Sequence, residues 1–260
     1  MTRIGVALEI TPPRAERPDV LLRRAALLGR RADAVHVIER PGRQRSVDAA
    51  IALESRGLSA VWHLVNRGRS PAEIEREIER AARGGLRAAL LVRGEAGPPE
   101  PAPPPTLASL VGRVRAVIPA ARVGVALDPY APRERALANL WPKLEAGAVF
   151  VQTQPIFERA ALAPLAEVIR ARAPGVQIVP MLIPLLSAPS AERLGERLRI
   201  PLPDRLLRRL EEGGENAGWE EFGALAAGLA RSGLADAFAV MTHETDPPKS
   251  FGDRIVSALG

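Results

Sequence analysis

The 260-residue chain has no cysteine, which excludes disulfide staples, thiolate nucleophiles, Cys-ligated zinc and iron–sulfur clusters. Lysine is nearly absent as well, Lys143 and Lys249 being the only two. Aromatic residues make up 3 %, with one tyrosine, too few for the stacking platforms that hold single-stranded nucleic acid. No apolar run reaches the roughly 18 residues that a membrane helix needs. No G-x-G-x-x-G turn follows the first strand-like segment, so the usual phosphate-binding turn of an open dinucleotide-binding sheet is missing. There are three histidines, and no spacing of histidines and acids suggests a metal site. Met1 to Gly5 leads straight into strand-like sequence without a basic-then-apolar signal region, so the expected location is cytoplasmic.

What is present fits a soluble α/β protein: 47 % apolar and 25 % charged residues. The net charge of +6 comes from arginines scattered along helix-like stretches and interleaved with glutamate. They read as solvated helix faces, so no nucleic-acid partner is expected, and the basic excess favours a small anionic ligand. A homo-oligomer is compatible with this composition.

Short β-branched or apolar runs alternate with longer segments of helical period along the whole chain. Strands are expected at Arg3 to Ile10, Ala34 to Ile38, Ala60 to Val65, Arg87 to Val92, Arg122 to Leu127, Val149 to Gln152, Gln177 to Leu182 and Ala235 to Val240. The clearest helices are Pro18 to Arg31, Ser46 to Gly57, Ser70 to Gly84 and Phe157 to Ala173. Eight alternations in about 250 residues point to one (β/α)8 TIM barrel spanning 1–260. Two features interrupt the pattern. Residues 97–105 (GPPEPAPPP) form a stiff proline-rich loop after strand four. Residues 191–232 form a helical insertion in the seventh crossover, broken near Pro201 to Pro203 and again at Gly213 and Gly214.

Barrel enzymes assemble their active sites at the carboxyl ends of the strands. There the sequence places Glu9, Glu39, His63, Arg93-Gly94-Glu95, Asp128, Gln152, Gln154, Thr242, His243 and Glu244. Each has a plainer role to weigh against chemistry. Glu9 has candidate ion-pair partners in Arg14 and Arg93. His63, flanked by Trp62 and Leu64, reads alone as a core histidine, and His36, alternating with Val35 and Val37, as structural. Arg93-Gly94-Glu95 is also compatible with an ordinary turn, and Gln154 before Pro155 with a loop-satisfying amide.

Taken together, these segments resemble the methylenetetrahydrofolate reductase family. Ala7-Leu8-Glu9-Ile10-Thr11-Pro12-Pro13-Arg14 is similar to the family's opening strand, Trp62-His63-Leu64 to its Pro-His-Leu, and Leu91-Val92-Arg93-Gly94-Glu95 to its Leu-Arg-Gly-Asp. Lys143-Leu144-Glu145-Ala146-Gly147-Ala148 through Gln152-Thr153-Gln154 resembles its Lys-x-x-Ala-Gly-Ala and Thr-Gln elements, the most specific match. The resemblance implies reduction of 5,10-methylenetetrahydrofolate to 5-methyltetrahydrofolate, with hydride from NADH or NADPH directly or through FAD. It makes Glu9 the general acid, sets Glu95 against the pterin and Gln154 over the ring system, and puts His63, Arg93, Gly94, Asp128 and Lys143 at the cofactor.

The departures fall mostly on the flavin half of that pattern. Asp128 stands where a tyrosine is expected, Pro132 near an expected histidine, Ala136 near the aspartate that holds the flavin ribose, and Leu107 in place of a tyrosine. Glu95 replaces an aspartate. The family includes short divergent members that work without flavin, and this pattern resembles theirs. Two other readings fit the same residues: a non-catalytic folate-binding subunit and a pterin methyltransferase-like barrel.

Overall fold

The computed structural model describes residues 4–94 and 104–260; Glu95 and most of the proline-rich segment lie outside the described residues. Eight parallel strands close into a barrel in chain order. They are β1 (Gly5–Ile10), β2 (Ala34–Val37), β3 (Ala60–Val65), β4 (Ala88–Val92), β5 (Arg122–Leu127), β6 (Phe150–Pro155), β7 (Gln177–Leu182) and β8 (Ala237–Met241). The crossover helices are α1 (Pro18–Ala25), α2 (Ser46–Glu54), α3 (Pro71–Arg83), α4 (Leu107–Val117), α5 (Arg133–Glu145) and α6 (Ala163–Arg172). The seventh crossover holds two, α7 (Ala188–Leu198) and α8 (Asp204–Arg231), and α9 (Lys249–Leu259) follows β8. The insertion is thus helical, with Gly214 breaking α8 at φ 54° and ψ −137°.

Period-two alternation sorts the strand residues onto two faces. Val6, Leu8, Val35, Val37, Trp62, Leu64, Val123, Val125 and Val151 pack outward against the helices. Val61, Leu90, Phe150, Val179, Met181 and Ala239 form a separate cluster inside the barrel. Small residues make room there for large ones, as a barrel interior requires. A Cβ added at Gly124 would sit 2.1 Å from the Phe150 ring, so that ring fills the space opposite a bare backbone. At the strand beginnings, Asp33 accepts from the Val6 amide at 2.8 Å and Asp236 from the Ile178 amide at 2.7 Å.

Local chemistry sets the element ends. Ser70 and Glu73 form a reciprocal capping box at α3. Glu39, one of the strand-end acids, accepts from the Ser46 amide at 2.7 Å at the start of α2 and pairs with Arg45, so its role is to cap a helix. The helical period of the first crossover runs to Arg31, but α1 stops at Ala25. Gly29 takes φ 51° and turns the chain into a short 3-10 segment, Gly29–Arg31.

At the carboxyl end of the barrel, buried Arg24 grips Asp246 through Nε at 2.9 Å and Nη2 at 2.6 Å. It also donates to the Thr11 carbonyl at 2.6 Å. One α1 side chain therefore fastens the loop after β8 to the loop after β1.

Candidate active site

The inward positions near the carboxyl end carry a polar island. Glu9 on β1 lies level with His36 on β2, and β3 brings His63 to the same region. All three are buried, and their ligating atoms lie within 4.8 Å of one another. Gln152 on β6, also buried, donates from Nε2 to Glu9 Oε2 at 2.8 Å across the lumen. His63 Nε2 lies 3.7 Å from the same oxygen, in contact but beyond hydrogen-bond length. The two imidazoles meet edge to face at 5.7 Å between centroids, and His36 meets Phe150 in the same way at 6.3 Å.

Burial sets the charge of this island. It pushes the Glu9 carboxyl up to about 7, against the Gln152 hydrogen bond, which favours the anion. It draws the His36 imidazole down to about 4, opposed by Gln152 and aided by the Arg122 charge. His63 is held well below its ordinary value by burial and then by His36. Near neutral pH the cluster is therefore two neutral imidazoles, an amide and a carboxyl poised between acid and anion. Three of its atoms, His36 Nδ1, His63 Nε2 and Gln152 Oε1, have no hydrogen-bond partner among the described residues.

Of the residues expected at the site, Glu9 and His63 are thus brought together, and neither Arg14 nor Arg93 pairs with Glu9. Arg93 and Gly94 follow β4, with Arg93 exposed and Gly94 at φ 90°. A Cβ on Gly94 would come within 2.6 Å of Val65 Cγ1, so both the turn and the close approach require glycine. Lys143 in α5 is half-buried, its ammonium lowered by burial and next by the Arg93 charge, which places these two cations near each other. Asp128 is exposed and accepts from the Tyr130 amide at 2.9 Å, shaping the turn after β5. Gln154 is exposed at the end of β6. The pairing of β6 with β7 slips between Gln152 and Pro155, a bulge that re-aims the strand, and Thr153 accepts from the Met181 amide there at 3.1 Å.

His36 is the member that the strand ends do not point to; Gln152 stands among the strand-end residues, but no role attaches to it in the sequence. The available signal was parity: Ala7 and Glu9 share a face, and level with them stand Ala34 and His36. Beside the island a cavity opens at the mouth, lined by Glu9, Thr11, Arg24, Arg40, Arg197 and His243 among others. Among the described residues, Arg40 and Arg197 have no carboxylate partner, so the rim is basic.

A family model described as methylenetetrahydrofolate reductase matches residues 2–227. No curated protein matches the sequence. Among solved structures, the chain is similar to an uncharacterized protein from Clostridium thermocellum that binds two copies of 5-methyl-5,6,7,8-tetrahydrofolic acid; identity is 16 %, TM-score 0.64, and 99 % of this chain and 94 % of that one are covered. Tryptophan synthase from Mycobacterium tuberculosis follows at 12 % identity and TM-score 0.59, with 99 % and 93 % covered. A Yersinia pestis DHPS with a pterine–sulfa conjugate has 12 % identity and TM-score 0.51, with 99 % and 90 % covered. At these identities the structural likeness concerns the barrel alone.

Proposed function

Because the chain belongs to the methylenetetrahydrofolate reductase family, we propose that it reduces 5,10-methylenetetrahydrofolate to 5-methyltetrahydrofolate, with Glu9 as proton donor and a reduced nicotinamide dinucleotide as hydride source. The observation that carries this reading is a carboxyl buried at the mouth of the barrel and pushed up to about 7, so that a large fraction holds a proton at neutral pH. Opening the methylene-bridged ring needs a proton on N10, which releases an iminium at N5. Hydride then adds to that one-carbon unit as the methyl group forms. An acid whose pKa lies near the working pH does this best. Gln152 fixes the carboxyl by its 2.8 Å hydrogen bond. The neutral histidines add no cation of their own beside Glu9. The basic rim suits the carboxylates of a folate, and the folate-binding Clostridium thermocellum neighbour supports the same ligand class.

The flavin of the family pattern does not fit the residues here. Ala136, near the ribose-holding position, is buried in the helix layer, and Leu107 packs against the same core. Neither side chain offers a hydrogen-bonding group, which supports hydride passing directly from the nicotinamide.

The test is NADH oxidation with methylenetetrahydrofolate by the wild-type chain and by Glu9→Gln. Loss of a general acid costs about 100- to 10,000-fold in turnover, with folate affinity retained. Unchanged turnover in Glu9→Gln would refute the assignment. The same protein should show weak or no flavin bands in its visible spectrum.

A further inference from the structure

Three consecutive strands put a carboxylate and two imidazoles around one point, with their ligating atoms within 4.8 Å of one another. We propose that Glu9, His36 and His63 form a binding site for one divalent transition-metal ion of the zinc or iron(II) class. The inference goes beyond the reductase reading and does not rest on it.

The donor set is the first argument. Two neutral imidazoles with one carboxylate suit zinc and non-haem iron, and three protein ligands leave a coordination position open. Geometry is the second. Ligand atoms on a tetrahedral zinc stand about 3.4 Å apart for bonds of about 2.0–2.1 Å. The His63 Nε2 to Glu9 Oε2 distance is 3.7 Å, and no pair among the three ligating atoms is more than 4.8 Å apart. Unpartnered nitrogens are the third. His36 Nδ1 and His63 Nε2 are buried lone atoms without a hydrogen-bond partner among the described residues, and a buried polar atom left so is costly unless something binds it. Gln152 completes the set from outside, since its amide holds the Glu9 carboxylate as outer partners of metal ligands do. The third histidine, His243, is exposed and stands outside the cluster.

Glu9 cannot be a metal ligand and a proton donor at once. If the reductase reading holds, zinc therefore suppresses turnover and a chelator restores it; if that reading fails, the binding measurements still decide the metal site.

The experiment uses the full chain stripped with a chelator and titrated with Zn2+ by calorimetry, with bound metal counted after desalting. His36→Gln and His63→Gln are treated in parallel, their folding checked by circular dichroism. Expected are one zinc per wild-type chain and affinity at least about 100-fold weaker in each variant, since even the loss of an outer partner costs 10- to 100-fold. Imidazole NMR of the wild-type chain covers the case in which a variant misfolds: of the three histidines, the two buried ones should shift with zinc while His243 stays fixed. No stoichiometric uptake, wild-type uptake in both variants, or a zinc shift confined to His243 would each overturn the proposal.

Discussion

Replacing Glu9 with glutamine should make the protein more stable at alkaline pH and leave it nearly as stable in acid. The folded chain holds the Glu9 carboxyl at about 7 against an ordinary value of 4.5. Between those values the folded state binds more protons than the unfolded one, so the wild type loses stability as pH rises through that window. One pKa unit is worth 1.36 kcal/mol, and integration between pH 5 and pH 8 gives a loss of about 2.5 kcal/mol from this single group. Glutamine has the same shape, cannot ionise and loses nothing. The histidines act oppositely: lowered in the folded state, they add stability as pH rises from acid toward 6.5. Raw wild-type curves therefore mix the two effects, and the difference between wild type and Glu9→Gln isolates the carboxyl. Urea melts at pH 5, 6, 7 and 8 measure it, provided the slope with denaturant is shared. The gap in favour of Glu9→Gln should widen steadily across that range. Parallel pH profiles for the two proteins would show that Glu9 ionises at its ordinary value, and the proton-donor reading would lose its physical basis.

Removing the Gln152 amide with Gln152→Ala takes away the hydrogen bond that favours the Glu9 anion, so the fall of kcat/KM with rising pH should move to higher pH. An unmoved midpoint would mean that the amide does not reach the acid in solution. At Gly124, alanine would drive a methyl into the Phe150 ring. Overpacking of this kind costs about 1–3 kcal/mol, visible in urea melts, and Phe150→Leu on the same chain should recover much of it. An additive double variant would contradict the packing described for the lumen.

The barrel was legible because its strands and crossovers have different periods, and the breaks at Pro201 to Pro203 and at Gly214 carry their own punctuation. Boundaries failed where backbone turns decide, as in the first crossover, where α1 stops at Ala25 although the apolar period continues to Arg31. The site was half legible. A polar residue flanked by apolar neighbours looks the same whether it faces the lumen or the helices, because both sides of a barrel strand are buried. His36 looks structural in the sequence for that reason, although Val35 and Val37 claim the helix-facing side. Gln152 could not be preferred over Gln154 from sequence, since the choice depends on the β6 bulge and on which amide crosses the lumen to Glu9.

A polar island inside an otherwise apolar lumen works against stability, and that is itself an argument for its function. His36 and His63 are buried with unpartnered nitrogens, a condition that costs about 1–3 kcal/mol for each group. Replacing both by leucine removes those atoms and keeps the volume nearly constant. The double variant His36→Leu/His63→Leu should therefore exceed the wild type in metal-free urea stability at pH 7 by at least about 1 kcal/mol. In acid the advantage grows. His36 is held at about 4 in the folded chain and ionises near 6.5 when unfolded, so on descent from pH 7 to pH 5 the wild type loses about 2 kcal/mol that the variant keeps. Zinc uptake should fall in the same protein. A double variant less stable than the wild type at both pH values would mean that the imidazoles hold the barrel together, and the island would then be part of its architecture rather than of its chemistry.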